Sequence, residues 1–231
     1  AYCDVDFKRA GKEVMDAFPG VRKFADFRVM FDQMGDDIDA VSVVTPDHVH
    51  FVQTIEAMRR GKHVYVEKPL THSFREAALL IQAENRYGVV TQMGNQGHTS
   101  SGALQFKQLQ LAGAIDDIVK IEAYKGPSLW FMDAAQRINE FPKAEPIPSS
   151  LNYDLWCGPA KMMPYSRRYH PYDWRAFYIY GNGMLGDWGA HIIDFAHNYL
   201  KLGLPTRIEP LRLDDYNQVI FPLSSQIRMQ F

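Results

Sequence analysis

Two short polar segments of the sequence contain residue types that could carry out chemistry. The first is Glu67-Lys68-Pro69, at the end of a run (62–67) whose β-branched and aromatic residues predict a strand. Ligands of an open parallel sheet bind beyond the carboxyl ends of its strands, where Lys68 would lie. Proline restricts the backbone conformation of the residue before it, so Pro69 sets the direction of the Lys68 side chain. The competing interpretation is an ordinary exposed lysine.

The second segment contains Asp187 and His191, on a helix predicted from about residue 185 to 200. At about 3.6 residues per turn, Asp187, His191, Asp194 and Asn198 share one face of a largely apolar helix. A carboxylate four residues before a histidine can orient the imidazole and raise its basicity, which suits general-base catalysis. The alternative is a solvated stripe on an amphipathic helix.

Short, valine-rich strands alternate with helices over the first hundred residues. Strands are predicted at 1–5, 39–45, 62–67 and 89–93, and helices at 7–18, from after residue 50 to Gly61, and at 74–87, the last with a capping box from Ser73 and Glu76. This alternation predicts an α/β fold with a doubly wound parallel sheet of the Rossmann type.

The strand ends contain candidates for binding a dinucleotide. An acidic residue at the end of the second strand of such a sheet binds ribose hydroxyls, and Asp4 fits that position, although Asp6 fits a helix cap. Arg9 could stack on adenine or be solvated. The G-x-G-x-x-G turn that would hold the pyrophosphate is absent ahead of Asp4. The interpretation therefore depends on Asp4 and on the strand ends 45–50, 67–69 and 94–98.

The second half of the chain has a different character, which places a domain boundary near residue 100. Residues 117–125 alternate like a half-buried strand of an antiparallel sheet. Residues 126–182 are long, irregular and rich in Pro, Tyr and Trp, as in a functional loop. Aromatic side chains and an arginine there could line a sugar site or simply pack the loop down. They are Trp130, Trp156, Trp174 and Arg175.

Composition narrows the possible classes of function. The 231 residues have a formal net charge of -2, which argues against a broad nucleic-acid or membrane footprint. No apolar run approaches the length of a membrane span. Cys3 and Cys157 lack metal-like spacing, and the histidines are not spaced like a zinc set, so no metal is expected. Since the chain opens and stops inside apparent strands, we expect a piece of a longer protein.

The sequence resembles the glucose–fructose oxidoreductase / inositol dehydrogenase / rhizopine-catabolism (Gfo/Idh/MocA) family across nearly its whole length. The segments that carry the resemblance are Cys-Asp-Val-Asp at 3–6, Thr-Pro-Asp-His-Val-His at 45–50, Gly-Lys-His-Val-Tyr-Val-Glu-Lys-Pro at 61–69, Gly-Asn-Gln-Gly-His at 94–98 and Gly-Asp-x-x-x-His at 186–191. The Glu-Lys-Pro block and the Asp-x-x-x-His helix are specific as a pair. The resemblance is closest to a branch often met in bacteria that degrade complex sugars, whose members are often exported. Localisation stays open.

The resemblance implies a Rossmann domain binding NAD or NADP, here residues 1–100, and a C-terminal α/β domain with an open, mostly antiparallel sheet, here residues 101–231. That second sheet often serves for oligomerisation, so a homo-oligomer is expected. The implied catalytic residues are Lys68, Asp187 and His191. The cofactor-binding candidates are Asp4, Arg9, Thr45, Pro46, Asp47, His50, Glu67, Lys68 and Asn95. The substrate-binding candidates are Lys68, Tyr124, Trp174, Arg175, Asp187 and His191.

The activity implied is oxidation of a CH–OH group of a sugar or polyol, with hydride transfer to nicotinamide. His191, supported by Asp187, would be the base, and Lys68 would stabilise charge on oxygen, although Lys68 could itself be the base. Asp4 favours NAD, since a carboxylate repels a 2′-phosphate. An enzyme that retains NAD and cleaves glycosides by oxidation and elimination is an alternative, and a non-catalytic sugar-binding protein is another.

Overall fold

The computed structural model describes residues 1–9, 11–126 and 136–231. Within these ranges, strands and helices alternate up to residue 94, including a strand at Lys23–Phe24 and a helix at Phe27–Met34 that the sequence pattern did not predict. The strands are β1 (Tyr2–Cys3), β2 (Lys23–Phe24), β3 (Ala40–Val43), β4 (His63–Glu67), β5 (Thr91–Gly94), β6 (Arg207–Asp214) and β7 (Ser224–Gln230). The helices are α1 (Lys12–Ala17), α2 (Phe27–Met34), α3 (Asp47–Arg59), α4 (Phe74–Tyr87), α5 (Ser101–Leu111), α6 (Tyr153–Cys157), α7 (Gly183–Ile192) and α8 (Asp194–Tyr199). Short 3₁₀ turns lie at Gly35–Asp37 and Asp173–Ala176.

The described residues divide into two compact units. The first comprises Ala1–Met93 and Pro142–Trp174, and the second Gly94–Phe141 and Arg175–Phe231. Residues 142–174, which the sequence pattern assigned to the second domain, pack with the first unit. Trp130 lies outside the described residues.

Parallel pairing organises the first unit. β1 pairs with β2 in parallel, and β3 pairs in parallel with β4, which β5 flanks on its other side. One face of these strands buries Val43, Val64 and Val66 against apolar side chains of α2, α3 and α4. Burial of such a face is the main favourable term for a sheet covered by helices. The predicted α/β class with a parallel sheet is confirmed.

Local signals explain where α4 begins and ends. The Ser73 hydroxyl accepts a hydrogen bond from the Glu76 N–H, and the Glu76 carboxylate accepts one from the Ser73 N–H, which is a capping box. Gly88 follows at φ 63°, a left-handed conformation that glycine adopts readily and that ends a helix. The predicted bounds of this helix are confirmed at both ends.

The first helix is shorter than predicted, because α1 covers Lys12–Ala17 rather than 7–18. The Asp4 carboxylate accepts a hydrogen bond from the Asp6 N–H, and the Asp6 carboxylate accepts one from the Lys8 N–H. Aspartate side chains that bond the backbone two residues on favour turns over helix. The start of the predicted helix is therefore a turn.

In the second unit the structure corrects a predicted strand and a predicted helix. Residues 117–126 form no strand among the described residues, and Val119 is 98% exposed and Tyr124 90% exposed. Alternation of residue types assigns side chains to faces, whereas a strand also needs a neighbouring strand to pair with. The helix predicted at 185–200 is interrupted at Ile193, between α7 and α8. Both pieces keep a helical period, so the apolar pattern does not reveal the break.

The remaining elements of the second unit are an antiparallel pair and a helix contact. β6 pairs with β7, with a bulge between Pro210 and Arg212. The ring of Phe106 on α5 packs edge-on against Phe195 of α8, with ring centroids 5.3 Å apart. In the part of the chain that the structure describes, no helix is long and apolar enough to cross a membrane.

Candidate active site

A buried histidine joins the carboxyl ends of β3 and β4. His50, on the first turn of α3, is 1% exposed. Its Nδ1 lies 2.7 Å from the carbonyl oxygen of Pro69, and its Nε2 lies 2.6 Å from the carbonyl oxygen of Thr45. Both carbonyls follow strands of one sheet, so a single imidazole spans the two strand ends where ligands of this fold class bind.

Burial governs the protonation of His50. Loss of hydration disfavours the imidazolium and lowers the pKa of His50, although the carbonyls of Pro69 and Thr45 and the carboxylate of Glu67 act in the opposite direction. Lys68 lowers the pKa further, as a neighbouring positive charge does. His50 was expected to contact the cofactor; in the structure its nitrogens face backbone oxygens.

The other candidates at these strand ends surround His50. Lys68 and Glu67 are half-buried at the end of β4, and the Lys68–Pro69 peptide bond is cis. Pro46 precedes the first residue of α3, and Asp47 is buried at that first residue. The Thr45 hydroxyl donates a hydrogen bond to Gln53 (2.7 Å). The structure thus brings the predicted residues 45–50 and 67–69 to adjacent strand ends.

Asp4 lies where the sequence pattern placed it, directly after β1. Its Oδ2 accepts a hydrogen bond from the Tyr2 hydroxyl (3.0 Å), and its Oδ1 accepts one from the Asp6 N–H (2.9 Å). Each carboxylate oxygen can accept a second bond, so Asp4 keeps acceptor capacity for ribose hydroxyls. Arg9 is largely exposed, with its Nε 3.9 Å from the buried Asp6 carboxylate.

The aromatic segment within the first unit is packed. Trp174 is 4% exposed, and its ring meets His48 at a centroid distance of 6.3 Å. Trp156 is 3% exposed and lies edge-on to His48 at 5.1 Å, while its carbonyl oxygen is 2.7 Å from His48 Nε2. The sequence left open whether these aromatic side chains line a sugar site or pack the loop down. The contacts show that both rings pack.

In the second unit, His191 of α7 is oriented by a backbone carbonyl. Its Nδ1 lies 2.9 Å from the carbonyl oxygen of Gln96. Because a carbonyl only accepts, Nδ1 carries the proton, and Nε2 of the neutral ring is left with a lone pair. Asp187 lies one turn earlier on α7 and is half-buried. Sequence reasoning assigned the orientation of the ring to Asp187 and missed Gln96, because a main-chain oxygen leaves no side-chain signal.

Asn95 is held beside the same helix. Its Nδ2 donates a hydrogen bond to the carbonyl oxygen of Ala190 (3.0 Å). Its Oδ1 is buried without a hydrogen-bond partner among the described residues. A buried acceptor without a partner is costly, so this oxygen is suited to a donor brought by a ligand.

A cation that was not predicted from the sequence lies on the Trp188 ring, beside His191. The Nζ of Lys125 sits 4.5 Å from the centre of the Trp188 ring, and that ring packs edge-on against His191 at 5.6 Å. Tyr124, a substrate-binding candidate, directly precedes Lys125 in the chain and is exposed. Arg175, another candidate, is half-buried in the second unit. No cluster of three or more His, Cys, Asp or Glu side chains suited to a metal occurs in the described ranges.

The G-x-G-x-x-G spacing does occur at Gly181, Gly183 and Gly186, away from the position expected for a dinucleotide turn. A Cβ on Gly181 would lie 2.6 Å from the backbone of Arg175, and one on Gly183 would lie 2.5 Å from the Phe221 ring. No β-strand leads directly into these residues. The glycines therefore permit close packing at the start of α7.

Two family profiles match most of the chain. Residues 3–95 match the family profile described as "Oxidoreductase family, NAD-binding Rossmann fold", and residues 119–209 match that of its "C-terminal alpha/beta domain". The fold and the two profiles define a nucleotide-binding domain of the Rossmann type followed by a second α/β domain. The chain belongs to the Gfo/Idh/MocA oxidoreductase family.

Individual relatives agree with this membership. The chain is 28% identical over 176 residues to levoglucosan dehydrogenase of Pseudarthrobacter phenanthrenivorans, covering 74% of this chain and 35% of the relative. It is 42% identical over 57 residues to scyllo-inositol 2-dehydrogenase (NAD(+)) of Bacillus subtilis, covering 25% of this chain and 17% of the relative. A solved levoglucosan dehydrogenase in complex with NADH shares the fold, with a TM-score of 0.60 at 23% identity over 93% of this chain and 47% of that one. The chain spans less than half the length of each.

Proposed function

We propose that the protein is an NAD(P)-dependent oxidoreductase that oxidises a CH–OH group of a sugar or polyol. The family supports the class of reaction, and the names of the relatives, which act on inositol and levoglucosan, support the class of substrate. The observation that carries the mechanism is the contact between His191 Nδ1 and the Gln96 carbonyl, which leaves Nε2 as a base.

The residues present fit a dinucleotide. The Asp4 carboxylate follows β1 with spare acceptor capacity, and the Asn95 Oδ1 is a buried acceptor awaiting a donor. When bound, the nicotinamide accepts the hydride that leaves the substrate carbon. NAD is preferred over NADP, because the charge of Asp4 repels a 2′-phosphate. His50 would support the cofactor site through its contacts with the carbonyls of Thr45 and Pro69. The residues that would hold the cofactor are Asp4, Arg9, Thr45, Pro46, Asp47, Glu67, Lys68 and Asn95.

In the proposed mechanism, His191 removes the proton of the substrate hydroxyl through Nε2. Asp187, on the same face of α7, stabilises the imidazolium that forms. The ammonium of Lys68 donates a hydrogen bond to the same hydroxyl and stabilises the negative charge that develops on its oxygen. We assign Tyr124 and Arg175 to the binding of other substrate hydroxyls, and the buried Trp174 ring to a supporting role within the first unit.

The test measures NADH formation by the full-length protein with a panel of sugars and polyols. Lys68→Met, Asp187→Asn and His191→Gln are compared with His197→Gln, whose exposed ring bonds the carbonyl of Gly203 and belongs to none of the proposed sites. Loss of a general base should lower kcat about 10²–10⁴-fold, whereas the control should match the wild type. Unchanged hydride transfer in His191→Gln would assign the base elsewhere, and in both His191→Gln and Lys68→Met would remove the proposal.

The same assay separates the remaining alternatives. Release of free sugar from a glycoside without net NADH formation would replace dehydrogenation by oxidation and elimination. Sugar binding without any spectral change of the nicotinamide would indicate a binding protein. The family resemblance implies that copies of the chain associate through the sheet that contains β6 and β7. This stays a prediction, which a measurement of the oligomeric state would test.

A further inference from the structure

The loop that orients His191 is attached to the α7–α8 segment at both of its ends. At its start, the Asn95 side chain donates to the carbonyl of Ala190. At its end, His98 Nδ1 lies 2.6 Å from Asp194 Oδ2, the first residue of α8. Between these attachments, the Gln96 carbonyl meets His191. The position of that carbonyl therefore depends on how the loop is held.

The loop is also closed on itself, since the His98 N–H donates to the Asn95 carbonyl (3.3 Å) and Gly97 adopts φ 93°. The Gln96 peptide lies inside this closed turn. If the attachment at His98 is lost, the peptide of Gln96 can rotate away from α7. The imidazole of His191 would then lose the acceptor that defines its tautomer.

We propose that His98 and Asp194 are positioning residues that hold the Gln96 carbonyl against His191 and so keep Nε2 unprotonated. This inference rests on the proposed function for the role of His191 as a base. Neither residue belongs to the assigned site, and Asp194 was recognised from the sequence only as part of a polar stripe. Because the helix is interrupted at Ile193, Asp194 is the first residue of α8, and its carboxylate can meet His98 there.

The pair is too exposed to act mainly as a stabiliser of the fold. The side chains of His98 and Asp194 are 46% and 20% exposed, and side-chain pairs open to solvent contribute little to stability. A hydrogen bond from an imidazole N–H to a carboxylate is nevertheless directional and short. We therefore expect its loss to change the state of His191 more than the melting temperature.

The experiment reads the tautomer of His191 directly. In ¹⁵N-labelled full-length protein without cofactor or substrate, His191 ring signals are assigned through their loss in His191→Gln. The wild type should show a protonated Nδ1. His98→Ala and Asp194→Leu should show a mixture of tautomers, and kcat should fall about 10- to 100-fold, as for a displaced catalytic group, at unchanged KM for NAD.

Matched variants make the result decisive. Asp194→Asn keeps an acceptor oxygen and should retain the wild-type His191 signals, which also covers the case in which Asp194→Leu does not fold. His197→Ala removes another exposed ring of α8 that bonds a carbonyl, and it should change neither signal nor kcat. Wild-type His191 signals in a folded His98→Ala, or equal changes in His197→Ala, would overturn the inference. Because the tautomer is read without turnover, an absence of sugar oxidation would refute the proposed function and leave this result standing.

Discussion

His50 Nδ1 lies 2.7 Å from the carbonyl oxygen of Pro69, the residue that follows Lys68. The other nitrogen of the same ring faces the carbonyl of Thr45 at the neighbouring strand end. The imidazole thus fixes the spacing of the turns that carry the proposed cofactor and catalytic residues. It also makes the stability of this edge of the sheet depend on one side chain.

We expect His50→Ala to lower the free energy of unfolding by about 1–3 kcal/mol, because the carbonyl that accepts from the single N–H of the neutral imidazole loses its donor. His63→Ala is the comparison, since His63 is an exposed residue of β4 whose Nδ1 accepts a hydrogen bond from the Val90 N–H, and we expect the smaller loss there. Urea unfolding of both variants measures the difference. Equal stability of the two variants would show that the His50 contacts are not needed to join the strand ends.

The buried histidines predict a loss of stability in mild acid. Burial lowers the pKa of both His50 and His170. Both are neutral in the folded protein, whereas the unfolded chain takes up protons below about pH 6.5. Their contribution to stability is therefore present above about pH 6.5 and is lost as the pH falls through the lowered folded pKa values.

His170 allows this dependence to be isolated, because its buried Nδ1 has no hydrogen-bond partner within the described residues. His170→Gln should reduce the difference in unfolding free energy between pH 7.5 and pH 5.5, about one pH unit either side of the unfolded pKa. The exposed His197→Gln should leave that difference unchanged. A difference as large in His170→Gln as in the wild type would contradict the assignment.

Gly181 should tolerate no side chain. A Cβ there would lie 2.6 Å from Cα and the carbonyl oxygen of Arg175, which are backbone atoms that cannot rotate away. Gly181→Ala should therefore cost about 1–3 kcal/mol, as overpacking does. At Gly102 of α5 a Cβ meets nothing within 4 Å, so Gly102→Ala should be neutral or stabilising. Thermal unfolding compares them, and an unaffected Gly181→Ala would disprove the close approach.

Asp4→Asn should relax the choice of cofactor. The amide keeps an acceptor for the Asp6 N–H but removes the charge that opposes a 2′-phosphate. We expect the ratio of kcat/KM for NAD over NADP to fall about tenfold or more. Asp16→Asn, on an exposed position of α1, should leave the ratio unchanged. An unaltered ratio in Asp4→Asn would place cofactor discrimination elsewhere.

Local signals in the sequence were enough to predict several elements. The capping box of Ser73 and Glu76, with Gly88 fifteen residues after Ser73, defines α4 without help from the rest of the fold. Such signals depend on residues within a few positions of each other, and the parallel α/β class follows from their order.

Other features depended on groups distant in the chain. Residues 117–125 have the alternation of a strand but no strand pairs with them among the described residues, so the pattern alone misled. Residues 142–174 pack with the first unit, although they follow the predicted boundary.

The sequence by itself determined which residues are candidates for the chemistry, since type and spacing single out Lys68, Asp187 and His191. Tertiary structure alone decided how the imidazoles are used. The nitrogens of His50 face the carbonyls of Thr45 and Pro69, and Nδ1 of His191 faces that of Gln96. Every residue carries a carbonyl, so its sequence identity conveys nothing about which one a folded ring will meet.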